Sequence, residues 1–274
     1  MPLKSILVHA DDAEGASTRI EAAAALAGAH EAVLTGLCVR PSMDLSYVAQ
    51  TFAGRSLTDT LKKATDEIAE RARSLFERHA AAHPNRRWLE SSGAVAEEII
   101  AQARYSDLIV VGPSDADQPG SRRLCGQLVL GSGLPVLMVP QRPTAPTLGR
   151  RVLIAWNASP ESVRAIRSAL PILKKAETVE VMIVVAGTPD RSAPPAGAPL
   201  LDYLAIQGVS ASVKLMTLDD VHGVAGSILA RAGGIGADLV VMGAFGRSRL
   251  REAMVGSTTG KLLTNPGLPL LICH

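Results

Sequence analysis

An α/β fold, built as two tandem open doubly wound domains with five-stranded parallel sheets, is what the sequence predicts. Three observations predict it. First, the chain is 47% hydrophobic but only 3% aromatic, and its apolar segments are short Val/Ile/Leu runs of the kind found in strands covered on both faces by helices. Second, these runs alternate with helical patterns, as βαβ units require. Third, the sequence repeats itself once, and internal similarity of this kind defines domain organisation better than length does.

The repeat is visible in three matched segments in the same order. Ser5-Ile6-Leu7-Val8-His9-Ala10-Asp11 lies over Arg151-Val152-Leu153-Ile154-Ala155-Trp156-Asn157 at an offset of 146. Asp107-Leu108-Ile109-Val110-Val111-Gly112 lies over Asp238-Leu239-Val240-Val241-Met242-Gly243, and Gly133-Leu134-Pro135 lies over Gly267-Leu268-Pro269. Residues 1–140 and 151–274 are therefore read as two domains. The Pro- and Thr-rich segment between them, Pro140 to Gly149 with the linker at 141–150, joins the copies.

In chain order, the first copy predicts a strand from Ser5, an Ala-rich helix from Thr18 to Ala29, and a strand from Ala32 to Val39. A long amphipathic helix follows from Leu57 to Ala82, then a weak strand from Arg86 to Glu90, a helix from Ala94 to Ala103, and strands at Leu108 to Val111 and Val136 to Val139. The second copy predicts helices at Ser162 to Lys174, Pro199 to Gln207 and Val224 to Ala232. Its strands are expected from Arg151, at Val179 to Val185, Ser212 to Thr217, Leu239 to Met242 and Leu270 to Cys273. The Pro-rich segment Gly187 to Pro199 reads as a loop. Open sheets of this kind bind ligands at the carboxyl ends of strands, where the strand order reverses.

Composition narrows the function classes. A formal charge of +2 favours neither nucleic acid nor an anionic membrane as a partner. No apolar run approaches the roughly 18 residues of a transmembrane helix, and the start of the chain carries no pattern of a secretory signal. Three cysteines, Cys38, Cys125 and Cys273, form no C-x-x-C pair, which fits a cytoplasmic protein without a disulfide framework. The six histidines have no metal-ligand spacing beyond His79/His83, and that pair reads as capping or surface residues. Neighbouring carboxylates, Asp11-Asp12 and Glu97-Glu98, point in different directions and make no general acid/base dyad. No catalytic residue is assigned.

The pattern that carries chemistry is Gly243-Ala244-Phe245-Gly246, followed after nine residues by Gly256-Ser257-Thr258-Thr259. Glycine after a buried strand lets the chain turn and lets a ligand approach the backbone. The second cluster reads as a helix start, where free N–H groups and hydroxyls converge on an anion. A turn glycine and an ordinary N-cap are the plainer reading of the same residues. A Walker loop does not fit, because the glycine gap in Gly256-Ser257-Thr258-Thr259-Gly260-Lys261-Leu262 is too short and Leu262 stands where a hydroxyl is needed. The first copy lacks the motif: Pro113-Ser114-Asp115 replaces Ala244-Phe245-Gly246, and Arg122-Arg123-Leu124 stands over Gly256-Ser257-Thr258.

The spacing G-x2-G-x9-G-[ST] resembles the ATP-binding signature of the universal stress protein family, and the resemblance extends over both copies. It implies an adenine nucleotide alpha hydrolase-like fold with the two domains paired as a pseudo-dimer through their last strands, and it allows a homodimer of whole chains that the sequence does not require. It also implies a regulatory, stress-response role with ATP or a related adenine nucleotide bound in the second domain. Adenine would be held by main chain near Val185. Ribose and phosphates would meet Asn157, Met242, Gly243, Gly246, Gly256, Ser257, Thr258 and Thr259, with Ala155, Trp156, Phe245 and Arg247 at the margins. Asn157 departs from the family's usual Asp, and Phe245 from a frequent histidine. An amide holds Mg less well than a carboxylate, which leaves metal binding open. The rival readings are a slow ATPase or phosphotransferase, and an interaction scaffold that binds no nucleotide.

Overall fold

The computed structural model describes residues 2–41, 54–113, 121–185, 197–217, 223–245, 260, 262–263 and 267–274. The first half contains β1 (Ser5–His9), α1 (Ala16–His30), β2 (Val33–Pro41), α2 (Gly54–His79), β3 (Arg86–Gly93), α3 (Val95–Gln102), β4 (Leu108–Val111), α4 (Ser121–Gly131) and β5 (Val136–Met138). The second contains β6 (Arg151–Trp156), α5 (Pro160–Leu173), β7 (Thr178–Val185), α6 (Ala198–Ile206), β8 (Ser212–Thr217), α7 (Gly223–Ile235), β9 (Leu239–Gly243) and β10 (Leu270–Cys273). The expected loop at Gly187 to Pro199 lies mostly outside the described residues.

The ten strands among the described residues form one sheet in the order β3-β2-β1-β4-β5-β10-β9-β6-β7-β8. Within each half the neighbours are parallel, and the halves meet where β10 runs antiparallel to β5, with Leu271 opposite Leu137. In each half the strand order reverses beside the first strand, between β1 and β4 and between β6 and β9, which places the carboxyl-end crevices there.

The inner strands are buried on both faces, whereas the edge strands β3 and β8 expose alternate residues, and successive residues of the inner strands divide between two helical layers. Ile6, Val8, Leu137, Leu271 and Val241 pack with α1, α2, α5 and α6. Leu7, Val136, Met138, Leu270 and Ile272 pack with α3, α4 and α7. Each layer runs across both halves, so the β5–β10 seam lies inside a continuous core.

Several positions shared by the repeat acquire a physical reason. Asp107 Oδ2 accepts from the amides of Lys4 and Ser5 at 2.7 and 2.9 Å. Asp238, buried, accepts from Thr147 Oγ1 at 2.6 Å and from the amides of Arg150 and Arg151 at 3.1 and 2.9 Å. Each thus ties the start of the first strand of its half to the fourth. The linker is docked: Thr144 donates its amide to Gly267 O at 2.9 Å, and Gln141 packs so closely on Gly15 that a Cβ there would lie 2.7 Å from its Cα.

Two expectations change. The weak strand at Arg86 is a full eight-residue strand, paired with β2 from Leu34 to Pro41. Its alternating exposure and charged side chains hide it from a search for apolar runs, as edge strands do. His83 is buried rather than on the surface, and its Nε2 donates to Ala32 O at 2.8 Å. His79 pairs with Glu21 at 2.7 Å.

Candidate functional site

The equivalent crevices of the two halves are built differently. In the second half, Trp156 ends β6 and Asn157 follows it, exposed, its Oδ1 accepting from the Ser159 amide at 3.1 Å. Ser159 then caps α5, accepting from Ser162 N at 3.2 Å, with Pro160 and Glu161 in the first turn. An oxygen cap, an early Pro and an acidic first turn are all favourable at a helix start. This turn packs against the end of β9. A Cβ on Gly243 would lie 2.5 Å from Ser162 N and 2.7 Å from the Glu161 carbonyl carbon. Glycine is therefore required at 243 by the helix, and not by a ligand alone as its sequence context implies.

Of the residues assigned from sequence, Ala155, Trp156, Asn157, Val185, Met242, Gly243 and Phe245 are described. Ala155, Met242 and Phe245 belong to the α3/α4/α7 layer. Trp156, half-buried, packs against the opposite layer. Val185 ends β7 opposite Thr217. Phe245 adopts φ 60, and its ring stands edge-on to His274 at 6.3 Å. Gly246, Arg247, Gly256, Ser257, Thr258 and Thr259 lie outside the described residues, as do Asp115 and His222.

Glu161, which the sequence did not single out, is 8% exposed beside Gly243, and its Oε2 is buried without a partner among the described residues. Burial opposes its ionisation. The backbone and Ser159 hydrogen bonds and the charges of Arg164 and His274 outweigh that and hold it below the usual carboxylate range.

In the first half the helix begins two positions later in the repeat frame, at Ala16 after Gly15 with φ 85. The position of Ala165 is taken by Arg19. That side chain is 4% exposed; its Nε donates to His9 O at 2.8 Å and its Nη2 to Asp11 Oδ1 at 2.6 Å. It covers Gly112 closely enough that any Cβ there would collide with Nη1. Asp11 also accepts from the Ala13 amide at 3.2 Å, repeating the turn that Asn157 makes. Asp12 pairs with Arg71 at 2.8 Å.

A cavity of about 610 Å³ opens over this network, at the carboxyl ends of β1, β2 and β4. His9 Nδ1 lies 3.4 Å from Asp11 Oδ2. Burial lowers the His9 pKa to about 4, with Asp11 pulling up and Arg19 pushing down, so the ring is neutral at neutral pH. Burial would raise the Asp11 pKa, but Arg19, His9 and the hydrogen bonds prevail and lower it. Sequence reasoning missed this cavity. The one available signal was Arg19, a charge one turn into an Ala-rich helix and eight residues after Asp11. Among the described residues no cluster of three or more His, Cys, Asp or Glu is placed to hold a metal ion, and no helix is long and apolar enough to cross a membrane. The three cysteines are buried and free, their pKa values raised by burial to about 11 for Cys38, 12 for Cys125 and 11 for Cys273.

Comparison with known proteins agrees with this architecture. The model of the universal stress protein family matches residues 2–139 and again 149–274. Among solved structures, a universal stress protein from Archaeoglobus fulgidus superposes with a TM-score of 0.75 at 18% identity, covering 98% of this chain and 97% of that one. A functionally unknown protein from Pseudomonas aeruginosa gives 0.58 at 17% identity over 99% and 92%. A putative universal stress protein from the same species gives 0.56 at 19% over 99% and 93%. At these identities the likeness speaks to fold. No curated sequence matches.

Proposed function

The chain belongs to the universal stress protein family, and from that premise we propose that it is a cytosolic stress-response protein binding ATP, or a related adenine nucleotide, in its second half. The observation that carries this reading is the G-x2-G-x9-G-[ST] pattern that begins at the end of β9 and is absent after β4. The nucleoside would lie over the ends of β6 and β7, with main chain near Val185 for the base and Asn157 for the ribose. Phosphates would reach Gly246 and Gly256 to Thr259, whose amides and hydroxyls suit an anion. The fit is supported by the exposed place of Asn157 after β6, beside β9 at the reversal of strand order.

The role is regulatory. Phosphoryl transfer needs a positioned base and a firm metal ligand, and position 157 offers an amide already engaged by the Ser159 amide. Binding would therefore bias shape or partner affinity, with the two halves acting as a pseudo-dimer around the β5–β10 seam. The test is to purify the chain natively, denature it and identify any released nucleotide. An intact adenosine triphosphate supports the reading. Steady conversion to diphosphate by the pure protein would favour an ATPase, and failure to carry or take up any adenine nucleotide would leave a scaffold.

A further inference from the structure

The cavity of the first half is distinct from the nucleotide site proposed for the second. Its volume falls within the range of small-molecule pockets, and it lies where an open α/β sheet places a ligand. Its floor is already organised: Arg19, buried, fixes Asp11 and the end of β1.

The charge of the wall selects the ligand. Four acids, Asp11, Asp12, Glu14 and Glu97, line the cavity against two arginines, Arg19 and Arg40. Neighbours do not restore the balance. Arg71 and Arg142 pair with Asp12 and Glu14, but Arg40 already carries both Asp66 and Glu90. With Arg73, which acts on Glu90, also counted, one negative charge remains in excess among the described residues, which opposes a polyphosphate. Asp11 Oδ1 is taken by Arg19 and the Ala13 amide, whereas Oδ2 faces the His9 ring, neutral at neutral pH. Glu97 has no ion pair among the described residues. Val39, Ile68, Val95 and Leu124 supply an apolar wall. Arg40 adds a buried Nε without a partner among the described residues, a donor that an oxygen acceptor would satisfy.

We propose that this cavity is a second binding site, specific for a small organic cation: an ammonium group on an apolar body that also carries an oxygen. The ammonium would sit between Asp11 Oδ2 and Glu97, and the body against Val39, Val95 and Leu124.

Tyramine and 4-hydroxyphenylacetate share a ring and a hydroxyl and differ in the sign of their charge, which makes them suitable probes for calorimetry on the full chain. Tyramine is expected to bind at one site per chain and 4-hydroxyphenylacetate to give no heat at the same concentrations. Glu97→Gln should weaken tyramine by about tenfold, and Asp11→Asn by more. Because Asp11→Asn also loosens Arg19, the exposed Glu97 is the cleaner variant. Gly246→Asp, which disables the proposed nucleotide motif, should leave tyramine binding unchanged, so this site and the nucleotide reading fail separately. No tyramine binding at millimolar concentration, equal binding of the acid, competition by ATP, or indifference to both carboxylate variants would each overturn the proposal.

Discussion

Gly112 and Gly243 end equivalent strands, yet different groups press on them. On Gly243 it is backbone, the first turn of α5; on Gly112 it is the guanidinium of Arg19. A helix that starts early brings its backbone against the strand end. One that starts late leaves room, and the first half fills part of that room with a buried ion pair and the rest with a cavity. Duplication thus kept the sheet and changed what stands over it. The proposed nucleotide motif and the acidic cavity belong to different halves.

The largest expected effect comes at the feature both halves share. Leu271 is 1% exposed and faces Leu137 across the seam, so Leu271→Lys buries an unpaired charge and should cost more than about 4 kcal/mol. Denaturant unfolding would show it, with both halves losing stability together. A variant unfolding near the wild-type midpoint would mean that the seam does not couple them.

Acid should act through the first half. His9 is held neutral down to about pH 4 against an ordinary value of 6.5. Between those values the unfolded chain takes up a proton that the folded chain refuses, so stability falls as pH drops through that window, by about 3 kcal/mol. Asp11, whose folded pKa is lowered, loses its contribution further down. The repeat partner of His9 is Ala155, which does not titrate. Unfolding curves between pH 7 and 4 should therefore show this loss in the wild-type chain, and His9→Gln should flatten it.

The two glycines give a smaller and sharper contrast. Gly243→Ala drives a methyl into fixed backbone and should cost about 2 to 3 kcal/mol. Gly112→Ala meets the end of a flexible side chain, which can move, and should cost roughly 1 kcal/mol or less. Equal costs would show that Arg19 is as immobile as a helix.

Much of this fold was legible because burial writes itself into composition. The Val/Ile/Leu runs that mark β1, β4, β6 and β9 are strands covered on both faces, and the duplicated Asp before β4 and β9 is an amide acceptor in both halves. The edge strand β3 was undervalued because half of it faces solvent. The cavity was not legible at all: it depends on where a helix begins, a shift of two positions that leaves the repeat alignment intact, and on Arg19 folding back onto a glycine far away in sequence.

The smallest expected effect concerns position 157. Asp11 makes in the first half the same turn that Asn157 makes in the second, so Asn157→Asp should fold normally and shift stability within about 0.5 kcal/mol. It should also make nucleotide binding more dependent on magnesium. If wild-type binding is already lost in chelator, ligands other than residue 157 hold the metal.

The central claim, that the two halves differ in what they bind, is tested most directly by the stoichiometry of adenine nucleotide in isothermal titration of the wild-type chain and of Gly246→Asp, which imports the first half's residue into the motif. One site per chain, abolished by the substitution, is the predicted result. Two equivalent sites, or a single site that survives in the variant, would contradict it.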